Sequence, residues 1–233
     1  MASDVGTDVE ERPALPPIRD AATILLVRDA GGDPRVLMGM RGAAAAFMPE
    51  KFVFPGGAMD PGDATVPLAR PLDAVTARRL EAHAPAGLSA TLAAAAIREL
   101  WEETGQILGR PGAWPDPPAD WAGFAATGQV PDAGGLQFVF RAITPAARPR
   151  RFDARFFLAD AGALAGDPDD FAGACDELSQ LQWVPIREAR RFNLPFITEV
   201  VLAEAARILT DGPQESVPFF DNSGPRSVFR RIA

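Results

Sequence analysis

Apolar and polar positions mark most of the chain by their spacing. Ala22-Thr-Ile-Leu-Leu-Val-Arg28 is a short apolar, β-branched run halted by Asp29-Ala-Gly-Gly-Asp-Pro34, the signature of a strand and a turn. Arg35-Val-Leu-Met-Gly-Met-Arg41 follows as a second strand, a hairpin partner of the first. Lys51-Phe-Val-Phe54 is a further strand-like run, ended by the turn Pro55-Gly56-Gly57. A helix-like segment, Asp73 to His83, lies among Pro-rich loops. Ser89 is the expected N-cap of a helix running to Thr104, with Gly105 as its stop signal. Residues 109–136 read as loop with one short helix near Ala119–Ala125. Strand patterns return at Leu136–Ile143, Arg155–Leu158, Leu178–Val184 and Val217–Phe220. A short helix is expected at Ile186–Phe192. Over Pro195–Leu209, Ile197, Val200, Val201, Ala205 and Ile208 share one helical face. Strands before and after isolated helices predict an α/β fold, a mixed β-sheet between helices. No internal repeat interrupts it. The pattern assigns 20–233 to one domain and 1–19 to a flexible N-terminal arm.

Composition narrows the function classes. The 233 residues are 47% hydrophobic, the profile of an ordinary soluble globular protein. No apolar run approaches the roughly 18–20 residues that cross a bilayer, so no membrane partner is expected. The acidic, proline-bearing first twenty residues resemble neither a signal nor a transit peptide. A lone Cys175, expected to be a small buried hydrophobe, excludes an intramolecular disulfide and suits a cytoplasmic location. A lone His83 excludes His-rich zinc sites and weakens any Ser-His-Asp triad. The net charge of −8 argues against nucleic-acid binding, which runs on cations that neutralise phosphates. Lys51 is the only lysine, so basic charge is almost entirely arginine, as a GC-rich genome alone would produce.

Chemistry concentrates in Ile97-Arg-Glu-Leu-Trp-Glu-Glu-Thr-Gly105. At about 100° per residue, Glu99, Glu102 and Glu103 fall within roughly a 100° arc. Ile97, Leu100 and Trp101 lie on the other side, so one face anchors the helix while the other presents three carboxylates. Like charges at these spacings repel and destabilise an isolated helix by a few tenths of a kcal/mol, roughly, per pair. Hard oxygen ligands so placed suit Mg²⁺ or Mn²⁺. Without a metal they would form a solvated acidic face. Arg98 lies beside the arc, where its fork can pair with a carboxylate and fix its rotamer. Gly56 and Gly57 permit close backbone approach, so a carbonyl there could reach a metal or a phosphate; otherwise they make a plain tight turn.

These residues carry a resemblance. Arg98-Glu99-Leu100-Trp101-Glu102-Glu103-Thr104-Gly105 is similar to the second half of the Nudix signature, and Phe54-Pro55-Gly56-Gly57 to its lead-in. Asp63 stands where the family normally has Glu. The signature is split by an insertion at about 64–90, and Gln106 replaces the apolar residue expected after Gly105. A split signature resembles the peroxisomal coenzyme A diphosphatase branch. Further similarity lies in Arg151-Phe-Asp-Ala-Arg-Phe-Phe-Leu158, Glu177-Leu-Ser-Gln-Leu-Gln-Trp183 and Phe192-Asn-Leu-Pro-Phe196. Leu37, Arg41 and Phe54 to Gly57 keep register with the coenzyme A motif, whereas Gly39, Gly42, Ala46 and Glu50 depart from it.

The resemblance implies a Nudix-type α/β/α sandwich and a metal-dependent hydrolase cleaving a diphosphate linkage, coenzyme A or an acyl-CoA being the first substrate expected. The alternatives are an ADP-ribose or NADH pyrophosphatase and a non-catalytic nucleotide sensor. It implies metal ligation by Glu99, Glu102, Glu103 and Gly57, catalysis by Glu103, Arg98 and Glu177, and phosphate contacts from Arg41, Arg151 and Arg155. The cofactor is then Mg²⁺ or Mn²⁺ and the partner a small diphosphate. A homodimer through Val217–Phe220 or the 195–209 helix stands beside a core role for both.

Overall fold

In the computed structural model, which describes residues 15–82 and 84–233, the first apolar run becomes a strand buried on both faces. Ala22, Ile24 and Leu26 enter one hydrophobic cluster and Leu25 and Val27 another. That two-sided burial makes this strand, β1 (Ile18–Arg28), the centre of the molecule. It pairs parallel with β8 (Arg151–Asp160) along ten residues from Ile18↔Arg151 to Val27↔Asp160. It also pairs antiparallel with β2 (Arg35–Arg41) and with β4 (Gly56–Ala58). The remaining strands are β3 (Phe52–Val53), β5 (Gly109–Pro111), β6 (Gln129–Pro131), β7 (Gln137–Ile143), β9 (Leu178–Pro185), β10 (Val217–Asp221) and β11 (Val228–Ile232). The large sheet runs β11-β10-β7-β8-β1-β2-β3, with β4 on β1 and β9 on β2. Hairpin β5-β6 stands apart.

Helices cover both faces. After α1 (Ala74–Glu81), capped by Asp73, comes α2 (Leu88–Thr104), which buries Leu92 through Ile97 and Leu100 against the Ala22–Ile24–Leu26 face. Its alanines lack side chains that would hold the helix off the sheet. Beyond the short α3 (Ala122–Ala126), α4 (Phe196–Asp211) buries Val201, Leu202, Ala205 and Ile208 on the opposite face. The architecture is a mixed sheet between helices, the expected α/β class. No helix among the described residues is long and apolar enough to cross a membrane.

Several expectations change. Gly87, not Ser89, precedes the first turn of α2, and the Ser89 hydroxyl bonds Glu81 instead. The expected turn at Gly56-Gly57 is strand β4. Ile186–Arg191 is a 3₁₀ helix, β8 is longer than its apolar segment, and β4, β5, β6 and β11 were not foreseen. β1 begins at Ile18, inside the stretch assigned to the arm; residues 1–14 of that arm, and His83, lie outside the described residues. Val217, Phe219 and the apolar stripe of α4 serve the core.

Candidate active site

The last turns of α2 carry Arg98, Glu99, Glu102 and Glu103, with no basic residue in the final turn. Carboxylates at a helix C-terminus face the negative end of its dipole as well as one another. Gly105 ends the helix at φ 74, the left-handed conformation glycine adopts without strain. Arg98 answers part of the repulsion. Its side chain is 4% exposed, and its fork is fully engaged. Nε and Nη2 donate to Asp63 at 3.0 and 3.2 Å, Nη1 to Glu99 Oε1 and Glu102 Oε2 at 3.0 and 2.9 Å, and Nη2 to the Ala58 carbonyl at 3.0 Å. Arg98 thus pairs with Glu99 and Glu102, with Asp63 as an additional anchor. Asp63 is itself held by the Asp60 backbone N–H at 2.9 Å and the Trp121 indole N–H at 3.2 Å. The split signature is closed in space by these contacts.

Strand β4 forms the adjoining wall. The Gly56 N–H donates to Glu103 Oε2 at 2.8 Å. A Cβ on Gly57 would fall on the Glu99 carboxylate, so any larger residue there would displace that carboxylate from its present position. Glu103 is 2% exposed, and its Oε1 has no hydrogen-bond partner. Burial, with Glu99 close by, pushes the Glu103 carboxyl well above the usual range. Burial likewise raises Glu99 to about 7 although Arg98 opposes it, and raises Glu102. Arg98 itself is raised despite burial, because Asp63, Glu99 and Glu102 favour its charged form.

This donor set fits a hard divalent cation. Arg98 occupies one oxygen each of Glu99 and Glu102, leaving their second oxygens and the orphaned Glu103 Oε1 for a ligand. Among the described residues no three acidic, His or Cys side chains already converge as a ready-made cation cage. What fits is the chemistry of the donors and their surplus negative charge.

A cavity of about 1000 Å³ opens from this acidic wall across the ends of β1, β7 and β8 to the start of α4. Arg41 lines it, with a buried Nε that has no partner. Glu177 lines it too, exposed in the loop before β9. Cys175 is exposed at the same rim and not in the core, because its loop passes outside α2 with the Cys175 N–H on the Glu102 carbonyl. Arg151 and Arg155 are corrections: both are buried, and neither lines the cavity. Arg151 donates to the Thr144 and Asn222 carbonyls, and Arg155 pairs with Asp20 and Asp153. Each guanidinium ties elements together from a buried position away from the cavity, although Arg155 Nε has no partner. The cavity instead takes Arg19, Lys51, Arg148 and Arg150, which the apolar pattern did not single out. The Arg- and Pro-rich run Pro145 to Arg151, joining two strands, was the available signal.

No family model matches the chain. Over 183 residues it is 31% identical to a Caenorhabditis elegans protein that carries the name nudix hydrolase 7, a match covering 73% of the chain and 52% of that relative. The chain thus spans about half the length of this curated relative. A crystal structure of a nudix hydrolase from Alicyclobacillus acidocaldarius superposes with a TM-score of 0.62 at 29% identity, covering 84% of the chain and 97% of that structure. A Caenorhabditis elegans Ap4A hydrolase in binary complex aligns with a TM-score of 0.48 at 15% identity, over 83% and 99% of the two chains.

Proposed function

The chain belongs to the Nudix hydrolase superfamily, and we propose that it hydrolyses the diphosphate linkage of a nucleoside diphosphate derivative with Mg²⁺ or Mn²⁺, taking coenzyme A or an acyl-CoA as its first substrate. One observation carries the reading. Glu99, Glu102 and Glu103 share a cavity wall, two of them oriented by a fully engaged Arg98 and the third keeping a buried oxygen without a partner.

Glu99, Glu102, Glu103 and the Gly57 carbonyl would hold the ion, which when bound offsets negative charge on the diphosphate and orients a water. The chain does the rest. Arg98 fixes two carboxylates and makes them less free to repel. The Gly56 N–H fixes Glu103. Arg41, beside Glu103 and lining the cavity, meets phosphate oxygens with its fork. Water oxygen bonds to one phosphorus, the bond from that phosphorus to the bridging oxygen breaks, and the other phosphoryl group leaves with the bridging oxygen. Either Glu103 or Glu177, both of which line the cavity, would take the water proton. The coenzyme A assignment draws on Leu37, Arg41 and Phe54 to Gly57, of which Arg41, Phe54, Gly56 and Gly57 line the cavity. The exposed thiol of Cys175 suits a reducing, cytoplasmic setting.

Steady-state hydrolysis of coenzyme A, ADP-ribose and NADH, each with Mg²⁺ and with Mn²⁺, tests the proposal. Turnover of a diphosphate that a chelator abolishes is expected. Turnover surviving thorough chelation would sink the metal-dependent reading, and no turnover of any of them would favour a sensor.

A further inference from the structure

Charge divides the cavity into two ends. The acidic wall sits where β4 pairs β1, with Gly57 opposite Ala22. Arg19 lies three residues earlier on β1, about 10 Å away along a strand. Arg150 immediately precedes β8, whose first residue Arg151 pairs with Ile18, so it lies farther still. Arg148 is in the same turn, and all three line the cavity. Of the six cations that line it, only Arg98 has an ion-pair partner among the described residues. Arg41 and Lys51 lie together on another part of the wall, with Arg41 beside Glu103, and Arg19, Arg148 and Arg150 make up the basic end.

Between the two ends the wall carries several apolar side chains. Phe47 crosses over to meet Phe152 edge to face, with centroids 5.4 Å apart, and Phe156 and Leu194 line the same stretch. Phe196, 71% exposed, stands at the start of α4.

We propose that Arg19, Arg148 and Arg150 form a subsite for a second phosphoryl group on the ligand, set apart from the scissile diphosphate by an organic segment such as a ribose. The inference rests on the acidic wall being the diphosphate site. Like charges gathered at one end repel, and a dianionic phosphate both relieves that repulsion and matches the guanidinium forks. A diphosphate held at Glu99, Glu102 and Glu103 is too short to span this distance itself. The subsite therefore selects substrates by a remote anion.

The test compares ligand pairs that differ by one phosphate: coenzyme A against dephospho-coenzyme A, and NADPH against NADH. The wild-type chain is expected to favour the phosphorylated member in kcat/KM by about ten-fold or more. In the Arg148→Ala/Arg150→Ala double variant that ratio falls toward one, chiefly through KM. A ratio near one in the wild type, or a ratio unmoved by the double variant, overturns the subsite. Calorimetry of the full-length chain with adenosine 3′,5′-bisphosphate and with AMP separates this from failure of the catalytic reading. Tighter binding of the bisphosphate, lost in the double variant, upholds the subsite even if neither pair is hydrolysed. Equal binding of the two nucleotides overturns it.

Discussion

Two clusters bury arginine with carboxylates, and they differ in charge balance. On strands β1, β7 and β8, Arg141 donates from Nε and Nη2 to the two oxygens of Asp153 at 2.9 and 2.7 Å, and Arg155 pairs with Asp153 and Asp20. Two cations meet two anions, and the cluster closes. Around Arg98, one guanidinium faces Asp60, Asp63, Glu99 and Glu102, with Glu103 alongside and paired to none. Burying arginine thus does not mark a site; burying carboxylates in excess of their cations does. The first cluster holds strands together, whereas the second stores a demand for positive charge.

Substitution at the unbalanced cluster should give the largest effect. Glu103→Gln keeps the Gly56 hydrogen bond through its amide oxygen and removes the buried charge. Diphosphate turnover should fall about a thousand-fold, while the metal-free Tm stays level or rises. Full retained activity in a steady-state assay would break the distinction between the clusters. Asp153→Asn is the converse. It leaves Arg141 and Arg155 without their shared counter-charge, at a cost of about 3–5 kcal/mol and hence a Tm lower by about 10 °C. Turnover per folded molecule should hold. A calorimetric scan beside an active-site titration would separate the two effects.

The clusters should also differ in their response to pH. Glu99 is raised to about 7 and Glu103 is raised well above its ordinary value, both chiefly by burial. A folded-state carboxyl raised above its unfolded value contributes stability that is complete below about pH 4.5 and lost as pH rises through the folded value. The metal-free protein should therefore lose several degrees of Tm between about pH 5 and pH 8. Mg²⁺ should restore them, most at the alkaline end. Glu103→Gln should flatten this slope and Asp153→Asn leave it in place. A metal-free Tm that climbs across the same range would contradict the surplus-charge account.

The unbalanced cluster was the more legible in the sequence. Helix periodicity sets Glu99, Glu102 and Glu103 on one face whatever surrounds them, and Gly105 ends the helix as read. β4 was not legible, because Gly-Gly-Ala has little strand preference and becomes a strand only by pairing with β1. Arg151 and Arg155 were misread for a related reason. An arginine in an apolar strand looks the same whether it faces a cavity or a buried aspartate, and long-range contacts to Asn222 and Asp20 decide the matter. Arg148 and Arg150 were missed because the turn between β7 and β8 has no periodicity to give direction, and Arg19 because it fell in the stretch read as an arm.

The smallest predicted effect sharpens the comparison most, because it acts through a residue with no charge. Trp121 lies in a stretch read only as loop with a short helix, yet its indole is fully buried and its N–H meets Asp63 Oδ1 at 3.2 Å. Asp63 in turn holds two edges of the Arg98 fork. Trp121→Phe keeps most of the ring packing against Trp114 and Phe124 while deleting the donor. The lost hydrogen bond to a charged group costs about 1.5–3 kcal/mol if its energy goes entirely into the fold. If Arg98 positions the carboxylates, part of it must instead emerge in the chemistry. The expected result is kcat lowered about five-fold and a higher Mg²⁺ concentration for half-maximal activity, with KM for the diphosphate little changed. A variant that lost only Tm would confine Trp121 to packing and make Asp63 a structural anchor like Asp153. A shift in Mg²⁺ dependence at a site with no ligand of its own would show instead that the charge surplus around Arg98 is tuned from the far side of the guanidinium.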